Sequence, residues 1–250
     1  IVAINNWRIM GKLLLQTSLT PGLVKVYDEI LSFERNEIYF SPYKRKRMNF
    51  YELIYYFNEG VPLGIKTKAG EIVLRPSKDT FIEEGDKLII LAQDDSTIKM
   101  NAHKIMESEK IKTIDRILEK QKKSILILGW HEIGFHYLNE SKGHFVEGTK
   151  FVIVYAKPPE EIKSRINQLI KQHPEYVIEL IDTNPFLYEV LESLNPYDYD
   201  NVLILPQNIN EPSSEKKDTD TLIILMMLRQ LKISLNLEHS KTNLISQMLN

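Results

Sequence analysis

Two uninterrupted apolar runs constrain the fold of this chain more than any other feature. Residues 124–129 (Ser-Ile-Leu-Ile-Leu-Gly) and 151–155 (Phe-Val-Ile-Val-Tyr) lack the polar alternation of a half-exposed strand. Strands of this kind are buried on both faces, which is typical of parallel sheets covered by helices. Strand–helix alternation therefore predicts a doubly wound, Rossmann-like parallel sheet over residues 124–250. The further predicted strands are 177–181 and 201–206, and the predicted helices are 160–172, 185–194 and 219–231, with a polar loop at 207–218.

The residues before this region have a different organisation. Residues 1–35 contain two helical stripes interrupted by Thr20-Pro21-Gly22, which predicts a helix–turn–helix. Residues 36–100 alternate short β-type runs with hairpin-like turns at 68–70 (Lys-Ala-Gly) and 83–86 (Glu-Glu-Gly-Asp) and include a helix over 50–57, which predicts a small α+β lobe. Residues 101–123 are rich in Lys and Glu and predict a linker helix with a solvated face. The fold class is therefore α/β in several parts.

Composition excludes several classes of function. The 250 residues carry 32 Lys and Arg against 34 Asp and Glu, a formal net charge of -2, so binding to nucleic acid by bulk charge is not expected. The absence of Cys excludes disulfides, thiolate zinc sites and cysteine nucleophiles. Apolar segments stay well short of the roughly 20 residues that cross a bilayer. Since the chain begins Ile-Val-Ala-Ile without Met, we expect it to be part of a longer protein.

The segment after the first buried strand departs from the dinucleotide-binding pattern G-x-G-x-x-G. It reads Gly129-Trp130-His131-Glu132-Ile133-Gly134, with His131 at the second glycine position. That glycine normally lets the pyrophosphate approach the backbone. The next strand ends without the Asp or Glu that would hold a ribose. We therefore interpret Gly129, Trp130 and Gly134 as a degenerate nucleotide loop and do not expect NAD binding.

Two groups of residues could suggest a metal site. His131 and His136 lie five residues apart, whereas ligands on one helix face need a spacing of four. Carboxylates gather around the last strand of the small lobe, and hard cations such as Ca²⁺ take several such oxygens. Turn chemistry explains the same residues equally well. No cofactor is assigned with certainty; Ca²⁺ is the metal considered, at Glu83, Glu84, Asp86, Asp94 and Asp95.

A basic cluster, Lys44-Arg45-Lys46-Arg47, has two interpretations. It can contact an anionic lipid or nucleic acid. A solvated loop explains it more simply, and we favour that interpretation.

The small lobe resembles the C-terminal lobe of RCK (regulator of K⁺ conductance) domains, also called the TrkA-C type. The similarity is carried by Gly64-Ile65-Lys66-Thr67, by 70–76 (Gly-Glu-Ile-Val-Leu-Arg-Pro) and by 82–91 (Ile-Glu-Glu-Gly-Asp-Lys-Leu-Ile-Ile-Leu). The order of parts resembles the junction of two consecutive RCK domains, so that residues 1–35 end a first domain and 124–250 begin a second, truncated one.

A closer similarity is to CASTOR/POLLUX-type ion channels and their bacterial relatives. It is carried by 11–16 (Gly-Lys-Leu-Leu-Leu-Gln), Pro21-Gly22-Leu23, 28–34 (Asp-Glu-Ile-Leu-Ser-Phe-Glu), 36–40 (Asn-Glu-Ile-Tyr-Phe), 61–64 (Val-Pro-Leu-Gly), 125–130 (Ile-Leu-Ile-Leu-Gly-Trp) and 218–229. His131 departs from the Arg that often follows Gly-Trp in that family, and the polar loop 208–217 is individual.

The resemblance implies a ligand-sensing gating-ring segment at the cytoplasmic face of a membrane. The channel would be a tetrameric K⁺ or Ca²⁺ channel, in which ligand binding between lobes is coupled to pore opening. Self-association into a ring, a membrane-embedded parent protein, no nucleic-acid partner and no enzymatic activity are expected. Local packing is the alternative explanation for the expected lobe or subunit interface, which comprises Leu13, Leu14, Pro21, Gly22, Leu23, Val26, Tyr27 and Ile30.

Two other functions stay open at this point. One is a soluble TrkA-like subunit that binds a nucleotide and regulates a separate K⁺ transporter. The other is an NAD-dependent enzyme of the Rossmann type. The degenerate glycine loop counts against both, because each needs a phosphate-binding turn.

Overall fold

The computed structural model of the chain describes residues 5–32, 35–105, 122–206, 214–237 and 239–246. In chain order its elements are α1 (Asn6–Leu19), α2 (Leu23–Leu31), β1 (Glu37–Pro42), β2 (Met48–Asn49), α3 (Phe50–Leu53), β3 (Val61–Lys66), β4 (Ile72–Leu74), β5 (Phe81–Ile82), β6 (Lys87–Ala92), β7 (Ser124–Leu128), α4 (Glu132–Glu140), β8 (Lys150–Val154), α5 (Glu160–Gln172), β9 (Val177–Ile181), α6 (Tyr188–Ser193), β10 (Asn201–Ile204), α7 (Ser214–Ser234) and β11 (Asn243–Ser246). Short 3₁₀ turns occupy Ile54–Tyr56, Asp95–Thr97 and Pro196–Asp198.

The chain divides into two compact units. Unit 1 consists of Ile1–Pro21 and Ile117–Asn250, and unit 2 consists of Gly22–Arg116. The boundary falls at the break between α1 and α2, so the two helices of the expected helix–turn–helix belong to different units. The expected linker helix at 101–123 lies largely outside the described residues, and its described parts at 101–105 and 122–123 are not helical.

Unit 1 contains a five-stranded parallel sheet in the order β11-β10-β7-β8-β9. From β7 at the centre the chain winds outward through β8 and β9, and then crosses to β10 and β11. This is the doubly wound arrangement, with its switch point between β7 and β10. The predicted parallel sheet and α/β fold class are confirmed.

Alternate strand residues of that sheet enter two separate cores. Ile125 and Ile127 face a core formed with α4, α5 and α1. Leu126 and Leu128 face a second core that includes Leu191 of α6 and helix α7. Because both faces are covered, every one of these four side chains is buried, which explains the unbroken apolar run.

Three predicted helices have different bounds in the structure. Helix α6 begins at Tyr188 rather than 185, because the Asn184 side chain accepts a hydrogen bond from the Phe186 N–H and holds a turn there. Helix α7 begins at Ser214, inside the predicted polar loop, because 215–217 are good helix formers. The expected helix over 50–57 ends as a 3₁₀ turn at Ile54–Tyr56.

Unit 2 contains a four-stranded antiparallel sheet in the order β1-β6-β3-β4, and a small two-stranded sheet of β2 and β5. One face of the larger sheet covers the core of this unit, in which Leu53, Ile82 and Ile90 are fully buried. The predicted turn at 68–70 joins β3 to β4 as a hairpin. The turn at 83–86 instead joins β5 to β6, which lie in different sheets.

Helix α1 packs closely across α4 within unit 1. A Cβ placed on Gly11 would lie 2.7 Å from the His136 Cβ and 3.0 Å from the Tyr137 backbone nitrogen. Leu14 and Leu15 enter the sheet core beside this crossing. The buried Tyr137 hydroxyl donates to the Ser18 Oγ at 3.1 Å, and burial raises the pKa of Tyr137. α1 is therefore an integral helix of this unit.

Substitution of Gly11 tests the helix crossing. We expect Gly11→Ala to lower the free energy of unfolding by about 1–3 kcal/mol, because the new methyl overpacks the α1–α4 contact. At an open helical site the same change would stabilise by about 0.5–1 kcal/mol, so the expected sign is opposite to that of helix propensity. Urea unfolding measures the effect, with the exposed Ile9→Ala as control. Stabilisation by Gly11→Ala would contradict the crossing.

Candidate functional site

The turn after β7 is where a Rossmann fold places phosphate. Gly129 adopts a left-handed conformation (φ 85°), and its N–H donates to the Val154 carbonyl at 2.8 Å. His131 precedes the first turn of α4. The backbone thus follows the expected strand–turn–helix path, and the side chains decide whether a phosphate can enter.

The Trp130 side chain fills the space beneath this turn. It is 0% exposed, and its ring meets that of Phe135 edge to face at 5.1 Å between centroids. Counted from Gly129, Gly134 stands at the third glycine position of the nucleotide pattern. A Cβ there would lie 2.8–2.9 Å from three atoms of the Trp130 ring. Gly134 is therefore required to seat this indole in the fold.

A buried histidine occupies the second glycine position. His131 is buried, and its ring lies 4.6 Å from that of Trp7, edge to face. Trp7 belongs to the first turn of α1, which closes over the loop. The imidazole stands where the pattern requires a bare backbone for the pyrophosphate.

An ion pair completes the filling of the loop. Glu132, in the first turn of α4, accepts two hydrogen bonds from the Arg165 guanidinium at 2.7 and 3.0 Å, and Arg165 lies 4.0 Å above the Phe135 ring. These hydrogen bonds hold the pKa of Glu132 below its usual value against the opposing effect of partial burial. A carboxylate at a helix N-terminus complements the helix dipole, as a phosphate would.

The second strand also lacks a ribose-binding acid. After β8 the chain reads Tyr155-Ala156-Lys157, and the Lys157 N–H donates to the Asp182 Oδ1 at 2.8 Å. The carboxylate after β9 is thus engaged by backbone. These contacts support the interpretation of a degenerate loop. Sequence reasoning missed the Glu132–Arg165 pair, because Arg165 lies 33 residues away and carries no local signal.

The five carboxylates considered for Ca²⁺ lie in two separate turns. Asp86 is buried and accepts hydrogen bonds from the Lys68 and Glu83 N–H groups at 3.0 and 2.9 Å. Asp94 accepts from the Ser96 N–H at 2.8 Å, and hydrogen bonds from Ser96 lower the pKa of Asp94. In the part of the chain that the structure describes, no three His, Asp or Glu side chains are grouped to hold a metal. Glu84 and Asp95 are exposed.

The basic cluster is partly structural. Arg45 donates to the Met100 and Asn101 carbonyls at 2.6 and 2.8 Å. Arg47 lies 4.0 Å above the Phe81 ring and 3.1 Å from a Glu83 carboxylate oxygen. The two arginines of the cluster thus make contacts within unit 2, whereas Lys44 and Lys46 are exposed.

The expected interface residues separate into two groups. Leu14 is buried in the sheet core of unit 1, so local packing accounts for it, and Leu13 is half-buried. Pro21 and Gly22 are exposed in the turn, where Gly22 has a φ of 87°.

Helix α2 has no buried residue. Leu23, Tyr27 and Ile30 are half-buried and Val26 is 48% exposed. Val24 and Leu31, which sequence reasoning left out, are 58% and 61% exposed. α2 therefore carries an apolar stripe that the described part of the chain leaves largely open. Across the described segments, no helix is both long and apolar enough to span a bilayer.

Comparison with known proteins shows what this chain is similar to. Residues 7–108 match the family model described as "Castor and Pollux, part of voltage-gated ion channel". The chain is 26% identical over 232 residues to "Probable ion channel POLLUX" of Arabidopsis thaliana and 24% identical over 230 residues to "Ion channel CASTOR" of Lotus japonicus. Each alignment covers 90% of this chain and 28% or 27% of the relative. The chain thus spans about a quarter of these relatives.

A solved structure with a similar fold is a gating ring. "Structure of the human SLO3 gating ring" aligns with a TM-score of 0.57 and 11% identity, covering 87% of this chain and 46% of that one. At this identity the match shows the fold alone. The predicted resemblance to CASTOR/POLLUX-type channels and the predicted RCK-like fold are confirmed.

The Glu132–Arg165 pair predicts a pH-dependent stability. A carboxyl whose pKa is lowered in the folded state stabilises the fold above its unfolded pKa of about 4.3 and loses that effect as the pH falls. We expect Glu132→Gln to destabilise by about 0.5–1 kcal/mol at pH 7, since both side chains are about one third exposed. The difference should shrink at pH 3 in urea unfolding. The exposed Glu160→Gln is the control, and an equal loss at both pH values would contradict the prediction.

The filled loop predicts that NAD does not bind. Trp7 and Trp130 are the two tryptophans, so a Trp7→Phe variant reports on Trp130 alone. We expect its fluorescence to show no saturable change with NAD up to millimolar concentration, because His131 stands in the loop and the Glu132–Arg165 pair takes the helix N-terminus. The unsubstituted chain serves as the control for the effect of removing Trp7. A saturable change would show that the loop opens to a nucleotide.

Proposed function

We propose that this chain is a regulatory, non-enzymatic segment of a gating ring that controls a cation channel. The observation that supports this most is that proteins named as ion channels match it over 90% of its length, through both units. In this proposal the ring is a homotetramer at the cytoplasmic face of a membrane, and the ion is K⁺ or Ca²⁺. The chain covers about a quarter of those relatives, and in this proposal the pore is formed by other parts of a longer protein.

The filled nucleotide loop favours this function over a nucleotide-binding subunit. A TrkA-like regulator or an NAD-dependent enzyme needs an open phosphate turn. Here the buried His131 stands at the second glycine position, and Glu132, paired with Arg165, takes the N-terminus of α4. The loop thus supports a regulatory unit whose ligand is bound elsewhere, and Ca²⁺ stays a hypothesis for that ligand.

The open stripe of α2 supports assembly. Apolar residues at helical spacing are normally buried against a partner surface. On α2 the most exposed apolar residues of the stripe are Val24 and Leu31. In the proposed ring this stripe contacts an equivalent surface of another copy or another RCK-like lobe. A ligand that favours one packing of such units over another would shift the pore equilibrium by its difference in binding free energy.

Substitution of Val26 tests the proposed assembly. We expect Val26→Asp to weaken self-association of the chain at least tenfold, because it places a charge in the apolar stripe of α2. Sedimentation velocity over a concentration series measures the association. In liposomes that hold the full-length protein, the same variant should alter ligand-dependent cation flux.

The matched control lies on the same helix. Lys25→Asp introduces the same carboxylate on the polar face of α2, where residue 25 is exposed. It should leave association and flux unchanged. Equal behaviour of Val26→Asp and Lys25→Asp would contradict a role for the stripe, and a full-length protein without cation flux would contradict the channel function.

A further inference from the structure

The face of the unit 2 sheet that points away from its core is apolar as well. In the register of the four strands, one face carries Tyr39, Ile65, Leu88 and Ile90 and covers the core. We call the opposite side the outer face; its residues are Ile38, Phe40, Pro42, Val61, Gly64, Lys66, Ile72, Leu74, Lys87, Ile89 and Leu91. An antiparallel sheet with one face in water normally alternates apolar and polar residues. This sheet does not.

Large apolar side chains of the outer face are exposed. Leu74 is 62% exposed and Val61 57%, and Ile38, Phe40 and Ile72 are each near one half. Ile89 is buried, and the Lys66 Nζ lies 5.4 Å from the centroid of the Phe40 ring on the same face. These residues are contiguous through strand pairing, and contiguous apolar patches on a protein surface mark contact sites.

The outer face is arranged in rows across the strands. One row is Ile38–Leu91–Val61, and the next is Phe40–Ile89–Gly64–Leu74. Beyond the second row, Lys66 and Lys87 stand directly opposite each other. Like charges in that position repel. Neither lysine forms an ion pair with any residue in the described ranges.

The opposite end of the same strands is acidic. Asp94 and Asp95 follow the end of β6 at Ala92, and Glu59 precedes the start of β3 at Val61. All three are exposed. Along the strands the outer face therefore runs from carboxylates through two apolar rows to a pair of lysines.

We propose that the outer face of this sheet binds the same face of a second copy of the chain, around a two-fold axis that runs across the strands. Such an axis places β1 over β1, β6 over β6 and β3 over β3, with strand directions reversed. With the axis between the two apolar rows, Ile38 faces the Phe40 of the second copy. Lys66 and Lys87 then meet the acidic end that includes Glu59 and Asp95. A two-fold contact needs this self-complementarity.

Charge selects this arrangement over the other face-to-face pairing. An axis parallel to the strands would place the lysine pair of one copy on the lysine pair of the other. The axis across the strands instead places the lysines of one copy on the carboxylates of the other, which is attractive. The apolar rows of the two copies then cover each other at about the 10 Å spacing of packed sheets.

The size of the face predicts a weak contact. Four strands about 4.8 Å apart and about 20 Å long cover on the order of 400 Å² per copy, at the low end for protein interfaces. We therefore expect dissociation in the range of tens of micromolar for the isolated chain. Copies held together by other contacts would bind more tightly through their high effective concentration.

Sedimentation equilibrium of the full chain with Val26→Asp as the background tests the contact, since that change disables α2. The 29.2 kDa chain should approach twice its mass at 300 µM. We expect Leu74→Asp, and independently Val61→Asp, to raise the dissociation constant at least tenfold with unchanged circular dichroism. The control Leu187→Asp, at a similarly exposed leucine of unit 1, should leave it unchanged.

Charge reversal tests the direction of the axis. Lys66→Glu with Lys87→Glu should weaken the dimer at least fivefold at low salt, and adding Glu59→Lys with Asp95→Lys should restore it. A chain that stays monomeric to 300 µM, equal effects of Leu74→Asp and Leu187→Asp, or no restoration by the second pair would overturn the proposal. Because α2 is already disabled, these results are independent of the gating-ring assembly proposed above.

Discussion

The close crossing of α1 and α4 is the contact on which the organisation of this chain depends. Gly11 is what allows it, since any side chain there would meet His136. The crossing binds the first helix into the same unit as a sheet that begins more than one hundred residues later. Unit 2 is consequently an insertion between two pieces of unit 1, connected at both ends. The same helix carries Trp7 onto His131, so the crossing also closes the loop after β7.

Much of this fold is encoded locally and was predictable. The runs at 124–129 and 151–155 predicted buried parallel strands, and Gly70 marked a hairpin. The partition of α1 and α2 into different units was not predictable, because their apolar stripes look alike and only tertiary packing separates Leu14 from Val26. Asp86 resembled a metal ligand in the sequence, whereas its oxygens bind two backbone N–H groups. The outer face was visible in principle, since Ile38, Tyr39 and Phe40 leave no polar side for that strand.

The open surfaces of this chain are suited to binding other protein surfaces rather than a small molecule. The nucleotide loop, where a Rossmann fold would bind a small molecule, is filled by the chain's own His131 and Glu132. The apolar groups that stay open lie on the stripe of α2 and on the sheet of unit 2. Under the proposed function, a ring would cover such surfaces, and a change in their packing would be the step that reaches a pore.

The proposed assembly is tested by a cryo-electron microscopy map of the full-length protein in lipid nanodiscs. We expect a ring in which the α2 stripe of each copy is covered by another lobe, with the loop after β7 filled by His131. A map in which this segment contacts no other copy or lobe, so that Val26 and Leu31 lie in solvent, would contradict the proposed assembly. A nucleotide bound in the loop after β7 would contradict the filled loop.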